Sequence, residues 1–202
     1  DKEPQQEQNR GVREKLLGTR VDATGSLAPE VTARLASAGS AWRELRETCF
    51  RNPYVRLRGK VAVFQSHILS RLLYAAEVWA LPRAQERRLE HFFHACIRTI
   101  TGGNRFKMQS DHLSHATLRA RLGVPALRAL LDRARLRWLG HCVRMDASRL
   151  PCKLLSAQVV GWSHPAGGGS AWRRQAREAM EGYGMHELDP YRLAHDRAAW
   201  RA

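Results

Sequence analysis

Apolar residues recur at helical spacing along most of the chain. From Pro29, apolar side chains fall at alternating steps of four and three residues, which predicts one buried helix face. That face comprises Val31, Leu35, Ala38, Trp42 and Leu45. Glu30 and Arg34 lie four residues apart in the order that favours an ion pair on a helix surface. Asn52-Pro53 then ends this first helix.

Two further helices are predicted over residues 57–81 and 83–100. Apolar residues cover most of the circumference of the first, so we expect it to be the central buried helix. They are Val61, Phe64, Ile68, Leu69, Leu72, Leu73, Ala76 and Trp79. Pro82 ends that helix, and the Gly-Gly-Asn sequence of residues 102–104 ends the next.

The next two helices are predicted after Asp111 and after Val124-Pro125. Asp111 is a candidate N-cap for a short helix that ends at Gly123, and Pro125 suits the first turn of the following one. At about 100° per residue, the later helix has two apolar strips and a separate basic face. The basic face comprises Arg133, Arg137, His141 and Arg144.

These elements predict an all-α protein without a convincing β-hairpin signal. We expect a disordered polar lead-in over residues 1–15 and a helical bundle over 16–101. A smaller basic helical segment follows over 102–160. A flexible linker with three consecutive glycines covers 161–170, and C-terminal helices cover 171–202.

The balance of charge is the unusual feature of the composition. The 202 residues carry a formal net charge of +15, with a pI near 10.9, which favours a polyanionic partner. The coding bias of a GC-rich genome is an alternative explanation, because arginine outnumbers lysine and alanine is abundant.

No secretory signal or membrane-spanning apolar run is present, so we expect a soluble intracellular protein. Since the sequence begins with Asp rather than Met, we expect a fragment or a processed product.

Catalytic and metal-binding patterns are missing from the sequence. The aspartates are scattered, whereas two-metal phosphoryl transfer needs carboxylates held together. We therefore expect no enzymatic activity and no cofactor.

Histidines and cysteines could supply zinc ligands, but they lack the paired short spacings of structural zinc sites. The candidate ligands are His91, His94, Cys96, His112, His115, His141 and Cys142.

Arginines without obvious acidic partners make the 133–144 face the best candidate for binding nucleic acid. A solvated helix face is the alternative interpretation. Trp79 and Trp138 are predicted to be core residues. Trp172 follows the linker and precedes Arg173 and Arg174, so we expect it to be the exposed aromatic residue.

Several sequence segments occur together in one known order. Residues 72–79 read Leu-Leu-Tyr-Ala-Ala-Glu-Val-Trp, and residues 136–145 read Leu-Arg-Trp-Leu-Gly-His-Cys-Val-Arg-Met. They resemble Leu-Leu-Tyr-Gly-Ala-Glu-Thr-Trp and Leu-Arg-Trp-x-Gly-His-Val-x-Arg-Met of non-LTR (LINE-type) retrotransposon reverse transcriptases. Shorter matches to the region after the catalytic core of that family lie at residues 17–18, 24–27, 30, 34, 38, 45, 88–90, 96, 102, 149–151, 196–197 and 200–201.

The resemblance implies a thumb-like helical bundle that holds the template–primer duplex while a separate palm domain performs the chemistry. The catalytic aspartates of the palm have no counterpart in this chain, and the family's basic Gly-Arg-Pro-Arg-Lys-Arg-Trp stretch is degraded at residues 167–174. The resemblance also implies a nuclear protein whose partners are RNA or an RNA–DNA duplex. The missing palm domain of the parent polymerase is a further candidate partner. The expected contacts are Arg58, Lys60, Arg105, Lys107, Arg133, Arg137, His141, Arg144, Arg173 and Arg174.

Two alternatives remain open at this level. One is a helical module that binds another protein through its apolar stripes, which a large exposed apolar patch would favour. The other is a translated transposon relic without selected activity, which is compatible with the degraded basic stretch.

Overall fold

The computed structural model describes residues 13–16, 19–22, 25–103, 109, 113–156, 171–185 and 190–201. Helices dominate these residues, which confirms the all-α prediction. The chain divides into two compact units. Unit 1 comprises residues 1–74 and 81–124, and unit 2 comprises residues 75–80 and 125–202. Unit 1 extends through Val124 because the short helix that ends at Leu122 packs within it.

Unit 1 begins with a short antiparallel hairpin that the sequence pattern did not predict. Strand β1 (Arg13–Leu16) pairs with strand β2 (Thr19–Asp22). The first three residues of β1 thus lie in a strand, whereas a disordered lead-in was expected through residue 15. A tertiary contact holds the hairpin, since the backbone N–H of Arg20 donates to Glu30 Oε2 at 2.6 Å.

The helices of unit 1 form its core. Helix α1 (Ala28–Leu45) continues as a π-helical turn (Arg46–Phe50), and α3 is Arg83–Ile100. Between them lies α2, residues 57–72, which runs as an α-helix (Leu57–Val63), a π-helix (Phe64–Leu69) and a final α-helical turn (Ser70–Leu72). Helix α4 is His115–Leu122. The largest fully buried side chains of this core are Phe50, Phe64, Ile68, Leu72, Leu81, Leu89, Phe93, Ile97 and Leu118.

Helix α2 ends nine residues earlier than predicted. After Leu72 the chain turns at Ala75, whose φ of 60° and ψ of 20° place it in the left-handed region. A 3-10 turn (Ala76–Val78) follows, and Trp79 is 1% exposed. The predicted burial of Trp79 is therefore confirmed, but a turn rather than a continuous helix places it.

The start of helix α4 also differs from the prediction. Asp111 lies outside the described residues, and Ser114 is the N-cap, accepting a hydrogen bond from the backbone N–H of Thr117 at 3.1 Å. The helix ends as predicted at Gly123, which adopts a φ of 62°. Glycine is favoured there because it has no Cβ to clash in the left-handed region.

Unit 2 is built around α5 (Leu127–Val143). Within the unit, α5 packs against the 3-10 turn and against three other helices. Those helices are α6 (Leu150–Ser156), α7 (Ala171–Gly182) and α8 (Pro190–His195), and α8 leads into α9 (Arg197–Arg201). The predicted linker over residues 161–170 lies outside the described residues. None of the described helices is both long and apolar enough to cross a bilayer.

Candidate nucleic-acid interface

Three basic residues form an exposed row on helix α5. Arg133, Arg137 and His141 are exposed, whereas Leu127, Leu131, Leu136, Cys142 and Val143 of the same helix are buried. Residues four apart lie about 6 Å apart along the helix axis, so the row extends along one face. Among the described residues, no ion pair involves Arg133 or Arg137. We call Arg133, Arg137 and His141 the α5 row.

The acid of helix α5 faces inward and serves other arginines. Asp132 accepts from Arg128 Nε at 3.0 Å and from Arg135 Nη1 at 2.8 Å. Arg135 is fully buried, and its Nε also donates to the carbonyl oxygen of Trp79 at 3.4 Å. The single carboxylate within the helix is therefore engaged inside unit 2, and the α5 row has a net positive charge.

Arg144 differs from the other residues of the predicted basic face. Its side chain is half-buried, and Nη1 donates to the carbonyl oxygen of Ala194 at 2.7 Å. This bond joins the end of α5 to α8. Four of its five N–H groups are not used in that bond, but the guanidinium is fixed by the fold.

The C-terminal basic residues lie on α7. Arg174 is exposed, whereas Arg173 is half-buried and donates from Nη2 to the carbonyl oxygen of Leu154 at 3.0 Å. The expectation that Trp172 is an exposed aromatic residue was wrong. Trp172 is half-buried, and its indole N–H donates to the carbonyl oxygen of Glu77 at 2.8 Å because α7 packs within unit 2.

The predicted contacts in unit 1 lie on the first segment of α2. Arg58 is exposed and Lys60 is half-buried. Arg105 and Lys107 lie outside the described residues. The aromatic residue that solvent reaches most freely in this region is Tyr54, which is 93% exposed in the turn before α2. That turn is fixed because Asn52 Oδ1 accepts from the Tyr54 backbone N–H at 2.9 Å.

A second cationic cluster, in unit 1, was not predicted from the sequence. The imidazole rings of His94 and His115 stack with centroids 4.0 Å apart and an interplanar angle of 12°. Arg98 Nη1 lies 2.9 Å from His115 Nε2. The sequence pattern indicates the two histidines only as candidate zinc ligands, because no local spacing relates residues on α3 to residues on α4. We call His94, His115, Arg98 and Arg119 the histidine–arginine cluster.

Burial and neighbouring charge lower the basicity of both histidines. Desolvation and, after it, the neighbouring His115, Arg119, Arg98 and His91 together lower the pKa of His94 to about 4. The pKa of His115 is lowered by the same kind of burial and by Arg98 and Arg119. Both rings are therefore neutral at pH 7.

His112 lies outside the described residues, and the other candidate zinc ligands do not come together in one site. Among the described residues, no three histidines, cysteines or carboxylates come close enough to hold a metal ion. Cys96 and Cys142 are buried, and desolvation raises the pKa of both thiols. Buried thiols of this kind resist the deprotonation that a zinc ligand needs.

One curated protein is similar to this chain over a long stretch. An uncharacterized transposon-derived protein of Caenorhabditis elegans is 22% identical over 151 residues, which cover 75% of this chain and 53% of that protein. The chain thus spans about half the length of the curated relative that it matches. No family model matches the sequence. No solved structure matches it either.

Proposed function

We propose that the chain is a non-catalytic part of a transposon-derived, LINE-type reverse transcriptase and that it holds template–primer nucleic acid by its phosphate backbone. The α5 row carries this proposal. It is an exposed, regularly spaced row of basic residues without an acidic partner among the described residues. Such a row supplies electrostatic contacts that position a duplex without reading its sequence.

The comparison and the sequence resemblance support the origin of the chain. The C. elegans relative is named as transposon-derived, and the matching segments of the retrotransposon family lie in the same order here. An RNA–DNA duplex is the expected ligand because the parent enzyme would extend a primer on RNA. We place the activity of the intact protein in the nucleus on the same resemblance.

Binding to a labelled RNA–DNA duplex, followed by fluorescence anisotropy across a salt series, tests the α5 row. In the variant Arg133→Gln/Arg137→Gln, we expect weaker binding and a log–log salt slope flatter by about 1.8, since each lost phosphate contact removes about 0.9. The variant Arg83→Gln/Arg87→Gln removes the same charge from exposed positions of α3. Circular dichroism checks the fold of both.

The control variant decides the interpretation. If it retains the wild-type affinity and slope while the α5 variant loses them, the row is a binding surface. If both variants change equally, the net charge attracts the duplex diffusely and the proposal fails in favour of the relic. Primer extension by the pure chain would contradict the proposal that it is not an enzyme.

A helical interaction module is the second candidate function, and α6 provides the observation in its favour. Leu150 and Leu154 are 67% and 59% exposed, and they lie one turn apart. Two exposed leucines on one helix face can bind an apolar partner surface. Sedimentation of wild type and Leu150→Glu/Leu154→Glu tests this role, which requires an oligomer that the variant loses.

A further inference from the structure

The histidine–arginine cluster requires neutral imidazoles. Arginine is only a hydrogen-bond donor, so His115 Nε2 must accept the hydrogen bond from Arg98 Nη1, and this nitrogen carries no proton. The near-parallel stack on His94 at 4.0 Å would also place two positive charges in contact if both rings were protonated. In the cluster, hydrogen-bond donors of the arginines and histidines therefore lie close together, and Arg98 already occupies the acceptor nitrogen of His115.

The groups whose charge lowers the pKa of His94 are all basic. They come from Arg98 and His91 on α3 and from His115 and Arg119 on α4. The first segment of α2 packs against both helices and carries Arg58, Lys60 and no carboxylate, but neither base is among the groups that act on His94. Glu90 lies one turn before His94 on α3, but it is not among the charges that act on the ring.

Beyond the bond from Arg98 to His115, the side-chain donors of the cluster have no acceptor among the described residues. Neither Arg98 nor Arg119 forms an ion pair there, and the ring nitrogens of His94 form no hydrogen bond with described residues. All four side chains are half-buried, so each remains accessible from solvent at one side. Arg98 and Arg119 therefore lie in the cluster without a carboxylate of the described residues to neutralise their charge.

We propose that the histidine–arginine cluster is a binding site for a phosphate group, contacted by Arg98, Arg119 and the two histidines. A phosphate supplies several acceptor oxygens and negative charge, and arginine binds it through paired N–H groups. Bound phosphate raises the pKa of His94 and His115, because its negative charge stabilises imidazolium and offsets the repulsion between the stacked rings. Protonation of His115 exchanges the hydrogen bond from Arg98 for one to the phosphate. The site therefore takes up protons when it binds phosphate. It lies in unit 1 and does not depend on the α5 row.

Histidine ring resonances measured by NMR test the site directly. The ring pKa values of His94 and His115 are compared in inorganic phosphate and in chloride at equal ionic strength. We expect phosphate to raise both values and to leave unchanged that of His195, an exposed residue of unit 2 outside the α5 row. Unchanged values at His94 and His115, or an equal rise at all three histidines, would overturn the proposal.

A matched pair of substitutions on α4 separates a local site from general charge. Arg119→Gln removes a cluster member, whereas Arg121→Gln removes the same charge from an exposed position two residues away. Loss of a charged hydrogen-bond partner weakens binding by roughly tenfold or more, so we expect that loss of phosphate affinity for Arg119→Gln alone. Equal affinities for the two variants would overturn the proposal, provided that both remain folded.

A short oligothymidylate in place of inorganic phosphate identifies the source of the phosphate. Shifts at His94 and His115 with both ligands indicate that the site accepts a nucleic-acid backbone, and shifts with inorganic phosphate alone indicate a free phosphate or monoester. Both results support a phosphate site. A response to zinc without a response to phosphate contradicts it. Because the readout is residue-specific, failure here leaves the test of the α5 row unaffected.

Discussion

The indole of Trp200 lies directly on the backbone of Gly140. A Cβ built at position 140 would come within 2.3 Å of Trp200 Nε1 and within 2.6 Å of Cε2. Trp200 also packs against the cluster of Leu136, Ala179 and Met180. The contact therefore joins two sequence segments, residues 136–145 and 196–201, that both carry the resemblance to retrotransposon sequences. It explains why a helix interior carries glycine there despite the poor helix propensity of that residue.

Substitution Gly140→Ala should destabilise unit 2 by about 1–3 kcal/mol, because the added methyl forces the Trp200 ring out of its packed position. Urea unfolding measures the loss. In Gly182→Ala the added Cβ meets no atom within 4 Å, so this control should be nearly neutral. The double variant Gly140→Ala/Trp200→Ala should cost less than the sum of its single variants, whereas additive losses would show that the two residues do not interact.

The ion pair of Asp132 with Arg135 gives a second prediction for the stability of unit 2. Asp132→Asn deprives a fully buried guanidinium of its charged acceptor, and breaking a buried pair costs about 3–5 kcal/mol. The side chain of Arg128, the other arginine bound to Asp132, is 38% exposed. Arg128→Gln should therefore cost about 1 kcal/mol or less. Denaturant unfolding distinguishes these values. Equal losses for the two variants would contradict the buried role of Arg135.

Ala75 is the one non-glycine residue of the described chain with a positive φ. The corresponding position of the family pattern is glycine. The left-handed conformation costs an L-residue about 1–2 kcal/mol, so Ala75→Gly should raise the free energy of unfolding by up to about 1 kcal/mol after the entropy of glycine is counted. Gly123→Ala makes the reverse change at a φ of 62° in open space and should destabilise the protein. A loss of stability in Ala75→Gly would contradict this account.

The sequence predicted what depends on local periodicity. The helical class, the burial of Phe64, Ile68 and Leu72, and the glycine at the end of α4 all follow from spacing or from backbone preference. The exposed positions of Arg133 and Arg137 follow from the same helical period. Such features need no knowledge of what packs against them.

Features that depend on distant contacts could not be predicted in this way. Glu30 and Arg34 form the expected pair at 2.6 Å, but Glu30 is fully buried, because the hairpin and the Tyr74 ring cover this end of α1. Trp172 is held by a carbonyl group 95 residues away in the sequence. The stack of His94 on His115 likewise joins two helices whose sequences contain no shared signal.

The histidine–arginine cluster should make unit 1 sensitive to acid. The pKa of His94 is about 4 in the folded protein and 6.5 when unperturbed, so between these values the unfolded chain binds more protons. The free energy of unfolding should therefore fall as the pH drops below about 6.5, and this contribution should level off near pH 4. His115 acts in the same direction.

Urea unfolding at pH 7.5 and pH 5 should show a smaller loss of unfolding free energy in acid for His94→Gln than for wild type, because the variant side chain does not titrate. His141→Gln, exposed in unit 2, should retain the wild-type loss. If His94→Gln retains the full loss as well, acid sensitivity comes from the high net charge rather than from the stacked histidines.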